Sequence, residues 1–272
     1  MDKVLDDFSS TQVAMALDAN KIAFGKLIAT LPQAVLHQTP GLLWYQTGVA
    51  CGHFNGVLQT NLDPATLPVA VEGVRTAFAA QSLAFHWHIG PSSLSANLGT
   101  VLEHHGISFD ETEPGMALDL HALNEDVSLA SGLNIAAVTG PEMLRQWVQT
   151  WGGNVTPQAI IDSWYTIYSS LLFSLHGDNG VRLYLGIIDG IPVATVELFL
   201  AAGVAAINHV VTLHEFRRQG IGAAMTLRAT REARAAGYRI AVLTASQLGS
   251  GIYRRLGFQE CCQVSTYAWE PE

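Results

Sequence analysis

The sequence predicts an α/β protein made of two related domains, each a mixed, mostly antiparallel central sheet flanked by helices. Three observations predict it. In the second half, short apolar runs of strand length alternate with stretches of helical periodicity. Two of the joins, "DGIP" at 189–192 and "AAG" at 201–203, read as tight turns between antiparallel strands. The first half repeats the ending of the second in degenerate form. With 49% hydrophobic residues in 272, the chain has apolar side chains enough for two cores.

In order along the second half, the pattern gives a strand over 133–138, helices over 141–151 and 157–174, and strands over 181–188, 191–200 and 204–213. A helix begins near Gly220 and ends at Gly237, a glycine placed as a C-terminal cap. Its inward stripe, Ile221, Ala224, Met225, Ala229, Ala233 and Ala236, is small enough for close approach to a sheet. A strand over 239–244, a short helix over 249–256 stopped by Gly257, and a last strand over 258–269 complete the sequence.

The polar stretch "LHALNEDVSLASG" at 120–132 separates halves of similar size and places the domain boundary near 130, giving domains 1–130 and 131–272. In both "FHWHIGPSSLSANLGTVLEHHGISFDETEPGMALDL" and "YRIAVLTASQLGSGIYRRLGFQECCQVSTYAW" the order is strand, Ser-containing loop, short helix, glycine, strand. Aligning Gly106 with Gly257 makes them a tandem duplication. Leu102 then stands where Tyr253 stands, and "TNLDPATLP" replaces a glycine turn, so the first copy is expected to be structural or substrate-shaping.

Charge is divided unevenly. Residues 1–130 carry 4 Lys or Arg against 13 Asp or Glu, whereas 8 of the 10 arginines of the second half fall between Arg217 and Arg255. A local basic patch on a protein of net charge -9 suits a small polyanion better than a long nucleic acid. Arg228, Arg231 and Arg234 read as a solvated helix face. No apolar run approaches the ~20 residues of a spanning helix, and the acidic start lacks secretory character. Three cysteines without pairing or metal spacing suit a reducing compartment. A cytoplasmic protein without nucleic-acid or membrane partners is expected. A homodimer is compatible with the sequence, which carries no signal for oligomeric state.

The most informative stretch is "EFRRQGIGAAM" at 215–225, where a strand runs into a glycine turn that opens a helix. Free N–H groups at a helix mouth, glycines that admit close approach and forked guanidinium groups make a phosphate site. A nucleoside triphosphate loop would need a lysine, and none follows Lys26. A dinucleotide loop would need a third glycine where Met225 stands, and an acid near Thr244 to Ser246.

"VVTLHEFRRQGIGAAM" resembles motif A of the GCN5-related N-acetyltransferases (GNAT), [RQ]-x-x-G-x-[GA], met by Arg217, Gly220 and Gly222. "ASQLGSGIYRRLGF" resembles their motif B, met by Tyr253, Gly257 and Phe258. The two stand in order, separated by a helix and a strand. The resemblance covers residues 133–269, with the first half a degenerate copy as in tandem members. It implies acetyl-CoA as co-substrate, its pyrophosphate held by Arg217, Arg218, Gln219, Gly220, Ile221, Gly222 and Ala223. The coenzyme's arm is expected against Val211, Thr212 and Leu213, on a strand splayed from its neighbour, and near Ser246. Ser246 stands where the family often has asparagine, and His214 where it often has proline.

In the implied reaction a neutral primary amine attacks the thioester directly and CoA leaves as a thiolate. Tyr253 is the expected acid for that thiolate, the alternative being a ring that merely packs. Glu197, mid-strand in "ATVELFL", is the expected base, acting directly or through a water, against a solvated strand residue as the bland alternative. His209 and His214 are weaker candidates, and solvent can also take the proton. No metal site is expected: His86 and His88 share a strand face without a third ligand, and "HHGISFD" misses an H-H-x-x-x-D acyltransferase motif by one residue. Trp164, Tyr165 and Tyr168 read as core, with one edge of their helix free to line an acceptor pocket that favours a cationic small molecule or peptide. The rival functions are a non-catalytic acyl-CoA-binding regulator, which needs no acid at 253, and a structural partner protein, which would not bind CoA.

Overall fold

The computed structural model describes residues 3–126, 130–174 and 178–271. In chain order its elements are α1 (Ser10–Ile28), β1 (Val35–Thr39), β2 (Leu42–Gln46), β3 (Gly56–Thr60), α2 (Leu67–Ala79), β4 (Phe85–Ile89), α3 (Leu98–His104) and β5 (Ser108–Asp119). There follow β6 (Asn134–Ala137), α4 (Pro141–Gly152), α5 (Gln158–Ser169), β7 (Val181–Ile188), β8 (Ile191–Ala201), β9 (Val204–Thr212), α6 (Ile221–Ala235), β10 (Ile240–Thr244), α7 (Ser250–Leu256) and β11 (Gln259–Trp269). Each element expected after residue 133 is present within a few residues of its expected bounds. No described helix is long and apolar enough to cross a membrane.

Two compact units result: Lys21–Pro114 with Cys262–Glu272, here unit N, and Met1–Asn20 with Gly115–Cys261, here unit C. The expected boundary near 130 therefore falls inside unit C, because the units trade their terminal strands. In unit N the order is β1-β2-β3-β4 and then the end of β11, which pairs antiparallel with β4 through Tyr267 opposite Trp87. In unit C the order is β6-β7-β8-β9-β10 and then the end of β5, antiparallel to β10 through Ala117 opposite Val242. The parallel pairs β3·β4 and β9·β10 occupy corresponding places. Each unit is thus closed by the last strand of the other sequence repeat.

The repeats share their caps. Ile107 N–H donates to Leu102 O past Gly106, and Phe258 N–H donates to Tyr253 O past Gly257, both at 3.0 Å. Leu102 and Tyr253, the aligned pair, are the acceptors in the two caps. The copies differ at the preceding helix: α2 opens with a proline in its first turn, which removes an N–H, where α6 opens with Gly220.

Unit N builds its core from Trp44, Phe78, Phe85, Trp87, Leu102 and their neighbours. Unit C packs α6 and α7 on one face of its sheet through Ile221, Met225, Ala229, Ala233 and Leu256. Ala236, expected in that stripe, lies one residue past the helix and is exposed. Buried Leu144, Trp147, Val148, Trp164 and Tyr168 of α4 and α5 supply a second apolar layer. The hairpins at Asp189–Gly190 and Ala202–Gly203 have positive φ at both turn residues, the tight turns expected from sequence.

Candidate functional site

The site of unit C begins where β9 leaves β10. Their parallel pairing is recorded at Ala205 and Ala206 only, whereas β9 stays paired with β8 as far as Thr212. The expected splay is therefore present. Leu213 N–H is committed to Val193 O at 2.9 Å, so the alternation of the ladder turns Thr212 N–H to the other edge. Of Val211, Thr212 and Leu213, it is Thr212 whose amide faces the opened side.

Beyond the strand a single 3-10 turn, His214–Phe216, leads to Arg217, whose Nε donates to Thr212 O at 3.1 Å. Arg218 and Gly220 both adopt positive φ, 61° and 81°. Glycine is at ease there and arginine is not, so the loop holds one strained residue beside one permissive one. The helical ladder starts with Ala224 N–H to Gly220 O, which leaves the N–H groups of Ile221, Gly222 and Ala223 ahead of it at the positive end of α6. A Cβ on Gly222 would meet Ile252 at 3.4 Å and Thr212 Oγ1 at 3.9 Å, so helix mouth, strand exit and α7 converge there.

A cavity of about 590 Å³ opens over this loop, lined by Arg218, Gln219, Gly220, Ala223, Ile252 and Arg255, with Asn124 and Asp126 opposite. The structure thus groups three loop residues, Ala223 and a second guanidinium, Arg255, that the sequence reading did not include. Other arginines of the basic patch are engaged elsewhere. Arg231 and Arg234 share Glu125, each at 2.6 Å, and Arg239 holds Asp119 at 2.8 Å. Arg228 pairs with Glu232 and lies over the Tyr184 ring. The face carrying Arg228, Arg231 and Arg234 is solvated, as expected, and each of the three guanidinium groups is also ion-paired.

Tyr253 is 8% exposed and packs edge-on to Phe258. Its ring stands 2.9 Å from where a Gly249 Cβ would be, and Ser246 Oγ 3.4 Å from the same point. Ser246 Oγ also accepts from Gly249 N–H at 3.3 Å, stabilising the turn into α7. Neither Tyr253 nor Glu197 is among the described lining of the 590 Å³ cavity.

Glu197 is 0% exposed, which removes the solvated strand residue that stood as the bland alternative. Oε1 accepts from Asn208 Nδ2 at 2.9 Å and Oε2 accepts from the Tyr168 hydroxyl. Burial pushes its pKa up to about 7, against the two donors that pull it down. His209 Nε2 lies 4.0 Å from Oε2. Around these groups Trp151 stacks on Trp164 at 3.7 Å and meets His209 at 4.0 Å, while Trp147 packs against Tyr168 and His209. Trp164 and Tyr168 are core, as expected; Tyr165 is half-buried with the Arg145 guanidinium over its ring. His214 is exposed and opens the 3-10 turn, apart from this group.

His209 reaches Glu197 through a backbone irregularity. Thr195 opposes Val211 and Glu197 opposes Asn208, so β8 has one residue, Val196, against two on β9, His209 and Val210. His209 takes φ +51° at this bulge, and Thr195 Oγ1 holds its carbonyl at 2.8 Å. In an unbroken ladder residue 209 would face away from Asn208 and Glu197. The bulge turns it to their side.

The fold is α/β in two compact units, with the helix-mouth loop in unit C. Residues 179–260 match the model described as Acetyltransferase (GNAT) domain, and solved structures of GNAT proteins share the fold over nearly the whole chain. Solved structures similar over nearly the whole length include a GCN5-related N-acetyltransferase from Kribbella flavida, with 24% identity, TM-score 0.68, and coverage of 93% of this chain and 96% of that one. A tandem GNAT protein from the clavulanic acid biosynthesis pathway aligns at 15% identity and TM-score 0.61 over 98% and 96% of the two chains. A functionally unknown conserved protein from Staphylococcus epidermidis aligns at 14% identity and TM-score 0.65 over 87% and 93%. At these identities the likeness is one of fold. No curated protein matches the sequence.

Proposed function

We propose that unit C transfers an acetyl group from acetyl-CoA to a primary amine by direct attack, and that unit N is a structural or substrate-shaping copy. The observation that carries this reading is a cavity lined by Arg218, Gln219, Gly220, Ala223 and Arg255 at the mouth of α6, whose first amides, those of Ile221, Gly222 and Ala223, precede the helical ladder. A diphosphate fits such a donor set, because each free N–H and each guanidinium fork supplies a hydrogen bond to a phosphate oxygen without a metal or a lysine. From there the coenzyme's arm runs along the opened edge of β9, where Thr212 N–H offers it a hydrogen bond and Arg217 braces the strand exit.

When bound, acetyl-CoA supplies the activated acyl group. The amine attacks the thioester carbonyl, forming a C–N bond, and the oxyanion is held by main-chain N–H groups of the opened strand. The amine's proton is drawn to the Glu197 carboxylate, directly or through an intermediary, and the C–S bond breaks as Tyr253 O–H protonates the departing thiolate. The acceptor is read as a cationic small molecule or peptide. The aromatic layer of Trp147, Trp151, Trp164 and Tyr168 beside a carboxylate favours a positively charged ligand. Reading the chain as a non-catalytic acyl-CoA sensor uses the same loop but gives no role to a buried carboxyl with a pKa near 7.

The test is titration calorimetry with CoA and acetyl-CoA, followed by thiol release from acetyl-CoA against a panel of primary amines. Binding together with amine-dependent thiol release supports the enzyme. Binding with no release from any amine supports the sensor, and no binding of either ligand rejects both.

A further inference from the structure

We infer that His209 is the group that meets the acceptor amine and takes its proton, and that Glu197 is a positioning residue acting through it. This rests on the acetyl-transfer reading and names the intermediary which that reading leaves open. The argument starts from exposure: the Glu197 side chain is 0% exposed, whereas 13% of the His209 side chain is, at 4.0 Å from it. A carboxylate with no surface cannot touch a substrate. Both its oxygens are also occupied, one by Asn208 and one by Tyr168.

The backbone supplies the second argument. His209 holds a left-handed conformation that a β-strand reserves for glycine, at a cost of order 1–3 kcal/mol. The result of that conformation is to move one imidazole from the far face of β9 to the face of Glu197. Thr195 Oγ1 braces the bulge from β8. Trp147 and Trp151 of α4 wall the ring and Tyr168 of α5 closes it from above, so its rotamer is set by packing. Among the described residues, the titratable groups recorded against His209 are Glu197 from β8 and Tyr168 from α5.

In this arrangement Nε2–H points at the carboxylate and Nδ1 is the base. The separation of 4.0 Å is about an ångström beyond a hydrogen bond, so the pairing is one of charge across a short gap. As the C–N bond forms, the amine nitrogen gives its proton to Nδ1, and ionised Glu197 stabilises the resulting imidazolium. On product release the proton leaves through the exposed edge of the ring, and Tyr253 recovers its own from solvent.

Two measurements test the pairing. In the ligand-free protein, nitrogen-15 NMR of the His209 ring should show an inflection near pH 7, where Glu197 ionises, that disappears in Glu197→Gln. An inflection that survives the substitution, or none in the unaltered protein, overturns the proposal. In turnover with acetyl-CoA and the best of spermidine, tyramine and a lysine-containing peptide, His209→Gly relieves the backbone and leaves an imidazole-sized hole. It should lower kcat about 100-fold or more with acetyl-CoA affinity retained, and added imidazole should restore activity, while His209→Gln stays inactive. Retention of kcat within about threefold, or a loss that imidazole does not rescue, overturns it as well. If the unaltered protein fails to bind acetyl-CoA, it is the acetyl-transfer reading that falls, and the NMR titration distinguishes that failure because it needs no coenzyme.

Discussion

The Tyr168 hydroxyl donates to Oε2 of Glu197, tying α5 to the middle of β8 at a carboxyl that water does not reach. Two opposed effects meet at that bond. Burial raises the carboxyl's pKa to about 7, and the donor resists the rise. Stability and activity are therefore linked to the same proton.

Between the ordinary carboxyl pKa of 4.5 and about 7 the native protein keeps a proton that the unfolded chain has lost. Its stabilising effect is fully present below 4.5 and is lost as pH rises through about 7. The difference amounts to roughly 3 kcal/mol, at about 1.36 kcal/mol per unit. Activity runs the other way, because a carboxylate is needed and kcat should rise with a midpoint near 7. Urea unfolding across pH 4–8 should show Glu197→Gln losing this slope, and the rising limb of its kcat profile should be lowered and flattened.

Tyr168→Phe removes one donor and leaves the ring in place. The carboxyl is then held less well as an anion, so the alkaline shift of the activity limb should be roughly one pH unit. The expected stability cost near neutral pH is about 1 kcal/mol. A limb that stays in place would mean that this bond does not govern the ionisation.

The hairpin at Ala202–Gly203 shows how much of this site was legible. A two-residue turn fixes its register, so Glu197 must oppose Asn208, as it does. A second polar residue opposite a mid-strand acid is a signal of burial that the solvated reading of Glu197 overlooked. What period-two counting could not give is the bulge at His209, since counting places 209 on the other face and only the coordinates show φ +51°. Caps and glycine turns located nearly every element after 133 because they act within a few residues. The exchange of β5 and β11 escaped because periodicity describes a strand's faces and is silent on its neighbours. Arg255 escaped the coenzyme set for a similar reason: it reaches the loop from α7, over thirty positions along the chain.

At the helix mouth, Gly222→Val should abolish measurable coenzyme binding. A bare Cβ there already contacts Ile252 at 3.4 Å and nears Thr212 Oγ1 at 3.9 Å, so two further methyl groups have to occupy the space over the free amides. Arg218→Ala and Arg255→Ala each remove one fork and should weaken acetyl-CoA by about tenfold, the equivalent of about 1.4 kcal/mol. Calorimetry at two salt concentrations checks both, with the arginine effects shrinking as salt rises.

Unit N depends on one buried amide. Asn55 is 1% exposed; its Nδ2 donates to the carbonyls of Val49, Cys51 and Ala84 at 2.8–3.1 Å, and its Oδ1 accepts from Thr47 N–H at 2.8 Å. Asn55→Leu fills similar volume and leaves those groups buried without a partner. The loss should be roughly 3 kcal/mol or more, read as a lowered unfolding midpoint. Asn55→Asp keeps the acceptor and loses the donors, and should fall between the two.

Tyr253→Phe separates chemistry from coenzyme binding. The ring packs against Phe258 and reaches Gly249, and both contacts survive loss of the hydroxyl, so the fold and the CoA affinity should be retained. Without an O–H to protonate the thiolate, whose conjugate acid has a pKa near 8.5, kcat should fall about 100-fold at pH 7. The deficit should narrow with a better leaving group, because an acyl thioester of a more acidic thiol has less need of the proton. Equal kcat for the two proteins with acetyl-CoA would remove Tyr253 from the reaction and leave it as a core ring. A kcat deficit that does not change with the leaving group would point to misplacement of the coenzyme by the altered core, which the accompanying calorimetry would register as weakened binding.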